Sequence, residues 1–138
     1  MGFPVEEIDP EINYDLQTFL TRPSVKPASY DIVISTSVLE HVADDEEFVR
    51  DIATLLKPGG TAILTCDFHN DYAPGFPVPE NDLRLYTEKD LTGRLIRAIS
   101  DCTLAQEPAY ACKEYDFRIF HKRQYEYTFA TFVFKKKQ

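Results

Sequence analysis

The stretch from Tyr30 to Phe68, YDIVISTSVLEHVADDEEFVRDIATLLKPGGTAILTCDF, constrains this chain more than any other. It reads strand, turn, helix, glycine stop, strand, which is the βαβ unit of a parallel sheet. Ile32, Val33 and Ile34 form an apolar run with no polar member, which predicts a strand covered on both faces. Asp44 or Asp45 can cap a helix in which Phe48, Ile52, Leu55 and Leu56 recur at helical spacing. Lys57-Pro58-Gly59-Gly60 ends that helix: lysine suits the negative end of the dipole, proline will not continue it, and glycine takes the left-handed turn out. Thr61 to Cys66 then predicts a second strand.

Composition narrows the class. At 138 residues the chain is one domain, and 43% hydrophobic residues suffice for a core. A net charge of −8 argues against a nucleic-acid surface. Lys135-Lys136-Lys137 reads as a solvated end. No apolar run approaches the ~20 residues that span a bilayer, so no membrane partner is expected. Phe3 is followed at once by Pro4, Glu6, Glu7 and Asp9, unlike a signal peptide. Cys66, Cys102 and Cys112 match no zinc spacing and read as free thiols in a reducing cytoplasm.

Further along, residues 69–86 form a polar loop rich in Pro, Asn and Asp, of a length associated with function or motion. Thr87 caps a helix with Asp90 as capping-box partner, and Leu91, Leu95, Ile96 and Ile99 give its apolar stripe. Thr103 to Ala105 is a weak strand, and Tyr125 to Phe134, YEYTFATFVF, a strong one. Residues 109–124 show no clear period.

Four motifs carry a resemblance. They are Tyr30-Asp31, Ser35 to Val42 (STSVLEHV), Leu55 to Thr65 (LLKPGGTAILT), and Arg84 to Leu91, the last similar to R-x-Y-T-x-x-x-L. In this order and spacing, over roughly residues 30–100, the chain resembles the C-terminal portion of the class I S-adenosylmethionine-dependent methyltransferases, in particular the type 11-like group acting on small molecules. The resemblance implies an α/β fold: part of a Rossmann-like methyltransferase sheet with helices on its faces and an antiparallel last strand. It implies methyl transfer from S-adenosylmethionine to a small-molecule acceptor.

The pattern is incomplete. The family cradles its cofactor on a glycine-rich loop where backbone comes close. The five glycines here, Gly2, Gly59, Gly60, Gly75 and Gly93, form no G-x-G. Only 29 residues precede Tyr30, so residues 1–138 read as a single truncated methyltransferase-like domain. Weak or no binding of S-adenosylmethionine is expected of this chain alone. The alternative function is a non-catalytic, degenerate methyltransferase-fold module for partner binding or assembly. In the family the first strand pairs with the fourth, here Tyr30 onward. Its absence leaves an open edge to be covered by a second copy or a complementing N-terminal segment.

The resemblance also nominates site residues. Ile12 to Leu16 reads as a short strand, and Asp15 sits where the family's adenine-binding acid stands; an ordinary turn aspartate is the alternative. Glu6, Glu7 and Asp9 are in reach for the ribose, although a solvated acidic terminus accounts for them more simply. Ser35 and Thr36 follow the strand that matches the family's fourth, at its carboxyl end, where the family's backbone meets the methionine part of the cofactor. His41 and His69 follow the carboxyl ends of two neighbouring strands and are the candidate bases. Some quinone O-methyltransferases of the family bind a metal with a glutamate three residues before a Glu-His pair. Ser37 stands there, before Glu40-His41, so no metal is expected. Asp31 reads as a strand-start carboxylate bonding nearby backbone, and Arg84 and Tyr86 either pin the loop to the helix start or meet an anionic substrate.

Overall fold

The structure, a computed structural model, describes residues 20–105, 110, 114–120 and 124–138. Strand β1 is Tyr30–Thr36 and β2 is Leu56–Phe68, paired in parallel and joined by a 3₁₀ turn, Leu39–His41, and helix α1, Asp45–Leu55. Asp44 caps α1: its carboxylate accepts from the Glu47 N–H at 2.8 Å. Asp45, Glu46 and Glu47 place negative charge in the first turn, where the dipole favours it.

The helix end differs from expectation in detail. α1 stops at Leu55, and Leu56 is already the first residue of β2. Lys57 is therefore beyond the helix, and its ammonium lies 2.7 Å from the Asp31 carboxylate. This also corrects the reading of Asp31, whose carboxylate meets a cation across the strand pair rather than local backbone. Between the pairs Tyr30–Leu56 and Ile32–Thr61 the register slips, and Lys57-Pro58-Gly59-Gly60 bulges out. Gly59 takes φ +78°, the left-handed turn expected of it.

After the long loop, Thr87 and Asp90 form a capping box: the Thr87 N–H reaches Asp90 Oδ2 at 3.1 Å, and the Asp90 N–H reaches Thr87 Oγ1 at 3.2 Å. Helix α2 follows, a π-helical Asp90–Leu95 running into Ile96–Ala98. Three strands close the chain: β3 (Cys102–Leu104), β4 (Phe117–Phe120) and β5 (Gln124–Lys136). The sheet order is β1-β2-β5-β3, and β5 runs antiparallel to β2, from Thr61↔Lys135 to Phe68↔Thr128. β4, in a stretch without sequence periodicity, pairs antiparallel with β5. The α/β class and the antiparallel last strand agree with expectation.

The core lies on one face of the sheet. Ala62, Leu64, Cys66, Ala130, Phe132 and Phe134 point to that face and pack with Val49 and Ile52 of α1 and Leu91 and Leu95 of α2. The other face is different. Ile32 and Ile34 are 60% and 65% exposed, against the expectation of a strand buried on both sides. No described residue covers that face of β1, and β1 pairs with β2 alone among the described strands.

Candidate functional site

The carboxyl ends of β1 and β2 lie side by side, with Thr36 paired to Thr65, and open α/β sheets bind ligands beyond such ends. Ser35 is half-buried and Thr36 exposed at this edge. Ser37, at φ +50°, turns the chain away, and its N–H is taken by Thr65, by the carbonyl at 3.2 Å and the hydroxyl at 3.0 Å. The 3₁₀ turn then sets Glu40 inward, 1% exposed, and His41 outward. Asp15, Glu6, Glu7, Asp9 and Cys112 lie outside the described residues.

The loop after β2 closes over this corner. The Tyr86 N–H donates to the Asp67 carbonyl at 2.8 Å, the His69 N–H to the Tyr86 carbonyl at 2.9 Å, and the Leu83 N–H to the Glu40 carbonyl at 3.0 Å. Arg84 reaches the Val42 and Ala43 carbonyls and the Asp45 carboxylate, at 3.3, 3.0 and 3.0 Å. Arg84 thus ties the loop to the start of α1, rather than to the start of the helix after Thr87. Arg94 adds a bidentate pair to Asp45 at 2.7 and 2.8 Å, and the Tyr86 hydroxyl lies 2.8 Å from the same carboxylate. Burial opposes ionisation of Asp45, but Arg94, Tyr86 and Arg84 outweigh it and hold the carboxyl below its usual range.

Three acidic side chains meet inside the closed loop: Glu40 from the turn, Asp67 from the end of β2, and Asp82 from the loop. Each is nearly fully buried. Desolvation raises all three. Asp82 is pushed up to about 7 by burial and by its contact with Asp67, while His41 pulls it down and Glu40 adds repulsion. Like charges this close cannot all ionise, so Asp67 and Asp82 titrate as a pair that keeps a proton toward neutral pH. Glu40 Oε2 and Asp82 Oδ2 are buried with no hydrogen-bond partner, which disfavours negative charge on either carboxyl.

His41 stands at the rim. Its Nδ1 is 3.0 Å from the Asn81 carbonyl and 3.3 Å from Asp82 Oδ1. His69 sits differently: its Nδ1 accepts from the Asp71 N–H at 3.1 Å, its ring stacks on Tyr115 with centroids 4.4 Å apart, and burial lowers its pKa. Beside it a cleft of about 550 Å³ is lined by Asn70, Tyr72, Thr87, Glu88, Lys89 and Thr92. Both histidines follow the carboxyl ends of adjacent strands. Asp82 carried no signal in the sequence beyond being one acid in an acidic loop. Among the described residues no group of three or more His, Cys, Asp or Glu is disposed to hold a metal.

Comparison with known proteins gives this corner a context. Residues 7–64 match the family described as "Methyltransferase domain". That stretch is similar to a segment of a methyltransferase domain. The match begins upstream of β1, takes in the Asp15 region, and ends within β2. Over 55 residues the chain is 38% identical to the ubiquinone biosynthesis O-methyltransferase of Xanthomonas campestris, covering 40% of this chain and 23% of that protein. It is 34% identical over 68 residues to the protein of the same name from Stutzerimonas stutzeri, covering 49% and 29%. It is 27% identical over 67 residues to the ajmaline N-methyltransferase of Rauvolfia serpentina, covering 49% and 23%. The chain thus spans about a quarter of the length of these relatives. Among solved structures the [4+2]-cyclase SpnF is similar at a TM-score of 0.47 and 21% identity, over 58% of this chain and 28% of that one.

Proposed function

We propose that this chain is part of an S-adenosylmethionine-dependent methyltransferase acting on a small-molecule acceptor. The observation that carries the reading is the methyltransferase match over residues 7–64, with relatives named for O- and N-methylation of small molecules. The site supports it through His41, a histidine at the ligand edge of the sheet with one ring nitrogen anchored and the ring partly exposed. S-adenosylmethionine would supply an electrophilic methyl group on a sulfonium. The chain's part would be to align the acceptor and to take the proton of its O–H or N–H on His41.

Residues Ser35 and Thr36 suit the methionine end by position, and Asp15 is the proposed adenine acid. The remaining cradle does not fit: the 138 residues contain no G-x-G, Gly59 and Gly60 are spent on the turn into β2, and the Ser37 N–H is already bonded to Thr65. Binding of S-adenosylmethionine by this chain alone is therefore expected to be weak or absent, and micromolar affinity in titration calorimetry would sink that expectation.

The function itself is tested by joining the chain to the glycine-loop half of the Xanthomonas relative and assaying release of S-adenosylhomocysteine with phenolic and amine acceptors. Acceptor-dependent release is expected. A folded but inert fusion beside an active relative would favour the second reading, a non-catalytic methyltransferase-fold module, for which the missing G-x-G is the supporting observation.

A further inference from the structure

We propose that Asp82 is the positioning residue of a His41–Asp82 dyad, holding the imidazole as its Nδ1–H tautomer so that Nε2 is the proton-accepting atom. The inference deepens the methyl-transfer reading and rests on it for the identity of the proton donor. It starts from hydrogen-bond chemistry. A carbonyl oxygen only accepts, so the 3.0 Å contact between His41 Nδ1 and the Asn81 carbonyl requires the proton on Nδ1. Asp82 Oδ1, at 3.3 Å from the same nitrogen, is a second acceptor when ionised. With Nδ1 occupied twice, Nε2 keeps its lone pair. A neutral imidazole held in this way is a base oriented by a carboxylate.

The surroundings show that this contact is built into the fold. The His41 side chain is 38% exposed, whereas that of Asp82 is 4% exposed, so the carboxylate lies behind the ring as support. Asn81 adopts φ +73°, a left-handed conformation that asparagine tolerates, and from there its carbonyl meets the ring. The segment is fastened on both sides of the dyad: the Asp82 N–H donates to the Pro79 carbonyl at 3.1 Å, the Leu83 N–H to the Glu40 carbonyl at 3.0 Å, and Arg84 to Val42, Ala43 and Asp45. A loop tied to the turn that carries the histidine keeps ring and carboxylate in register.

The charges facing Asp82 come from three elements: His41 and Glu40 on the 3₁₀ turn, Asp67 on β2, and Asp82 itself on the loop. All are acidic except the histidine. When Nε2 takes a proton, the imidazolium forms beside carboxyls whose ionisation is held back by mutual repulsion, and its positive charge favours their ionised forms. The proton would end on Nε2 with Nδ1–H still in place, and the acceptor heteroatom would keep the electron pair of the O–H or N–H bond.

Long-range ¹H–¹⁵N NMR of the histidine side chains in the 138-residue chain tests this without cofactor or turnover, with His41→Gln assigning the signal. The neutral ring of His41 should be mainly the Nδ1–H tautomer. Asp82→Asn keeps an acceptor oxygen and should keep the tautomer; Asp82→Ala should shift it toward Nε2–H with the backbone amide spectrum otherwise preserved. A wild-type Nε2–H tautomer, or one indifferent to Asp82→Ala, overturns the dyad. In the fusion described above, Asp82→Asn should lower kcat about tenfold or more with KM for the acceptor little changed, since it removes the counter-charge from the base; an unchanged kcat overturns the positioning role. A fusion inactive with wild-type residues counts against the methyl-transfer reading, and the tautomer measurement then decides the dyad by itself.

Discussion

Asp45 shows how one side chain can hold two segments together. It is buried, and it receives Arg84 from the loop, Arg94 from α2 and the Tyr86 hydroxyl, so the loop, α1 and α2 meet on one carboxylate. Removing its charge leaves two guanidiniums without their anion. Asp45→Asn should cost about 2–4 kcal/mol, somewhat less than a fully buried pair because both arginines are partly solvated. Tyr86→Phe deletes only a buried hydroxyl that also lies 3.0 Å from the Leu39 carbonyl, and should cost about 1–2 kcal/mol. Urea midpoints at constant slope would rank the two, and a Tyr86→Phe loss equal to or above that of Asp45→Asn would contradict this account. The acidic trio acts in the opposite direction. Folded Asp82 holds its proton up to about 7, whereas the unfolded chain releases it near the ordinary ~3.9. Across that window the unfolded state carries fewer protons, so raising the pH favours unfolding. Asp45, held low, adds stability above its ordinary value and loses it only as pH falls further. The thermal midpoint should therefore be higher near about pH 5 than near about pH 8, and Asp82→Asn should flatten that slope. Identical slopes in wild type and variant would remove Asp82 as the cause.

At the scale of the elements, the entry into β2 is the tightest point. A Cβ on Gly60 would lie 2.9 Å from the Tyr30 carbonyl oxygen and 3.0 Å from that of Lys57, both backbone atoms with little room to move. Gly60→Ala must push β1 and β2 apart where their register slips, and should destabilise by about 1–3 kcal/mol, the usual range for overpacking. Chemical denaturation measures it; a neutral substitution would mean that the bulge yields freely. The capping residues, the glycine stop and the aromatic last strand were all legible in the sequence, because each depends on local backbone chemistry. β4 was not. Phe117–Phe120 becomes a strand only because β5 is long enough to offer it a partner, and a strand selected by its neighbour leaves no period of its own.

For the whole molecule, the two faces of the sheet are unequal. One is closed by α1 and α2; the other presents Ile32, Ile34 and Phe129, and β1 has no neighbour on its outer edge among the described residues. Apolar surface beside unpaired strand edges favours association. The 138-residue chain is expected to self-associate at low micromolar concentration in sedimentation experiments, and a clean monomer there would overturn the expectation. No helix among the described residues is long and apolar enough to cross a membrane.

The sequence alone determined the βαβ unit, its caps and stops, the antiparallel last strand and the resemblance to methyltransferases, because periodicity, turn chemistry and motif order are written in neighbouring residues. It also placed His41 and His69 at the ligand edge, since strand ends can be counted along the chain. Tertiary structure alone decided what surrounds them. That Asp82 lies behind His41, that Glu40, Asp67 and Asp82 share one buried corner, and that Arg84 and Arg94 converge on Asp45 depend on how a long loop folds back over two strand ends. Contacts between residues some forty positions apart follow from packing and charge pairing in three dimensions, and these have no local signature in the chain.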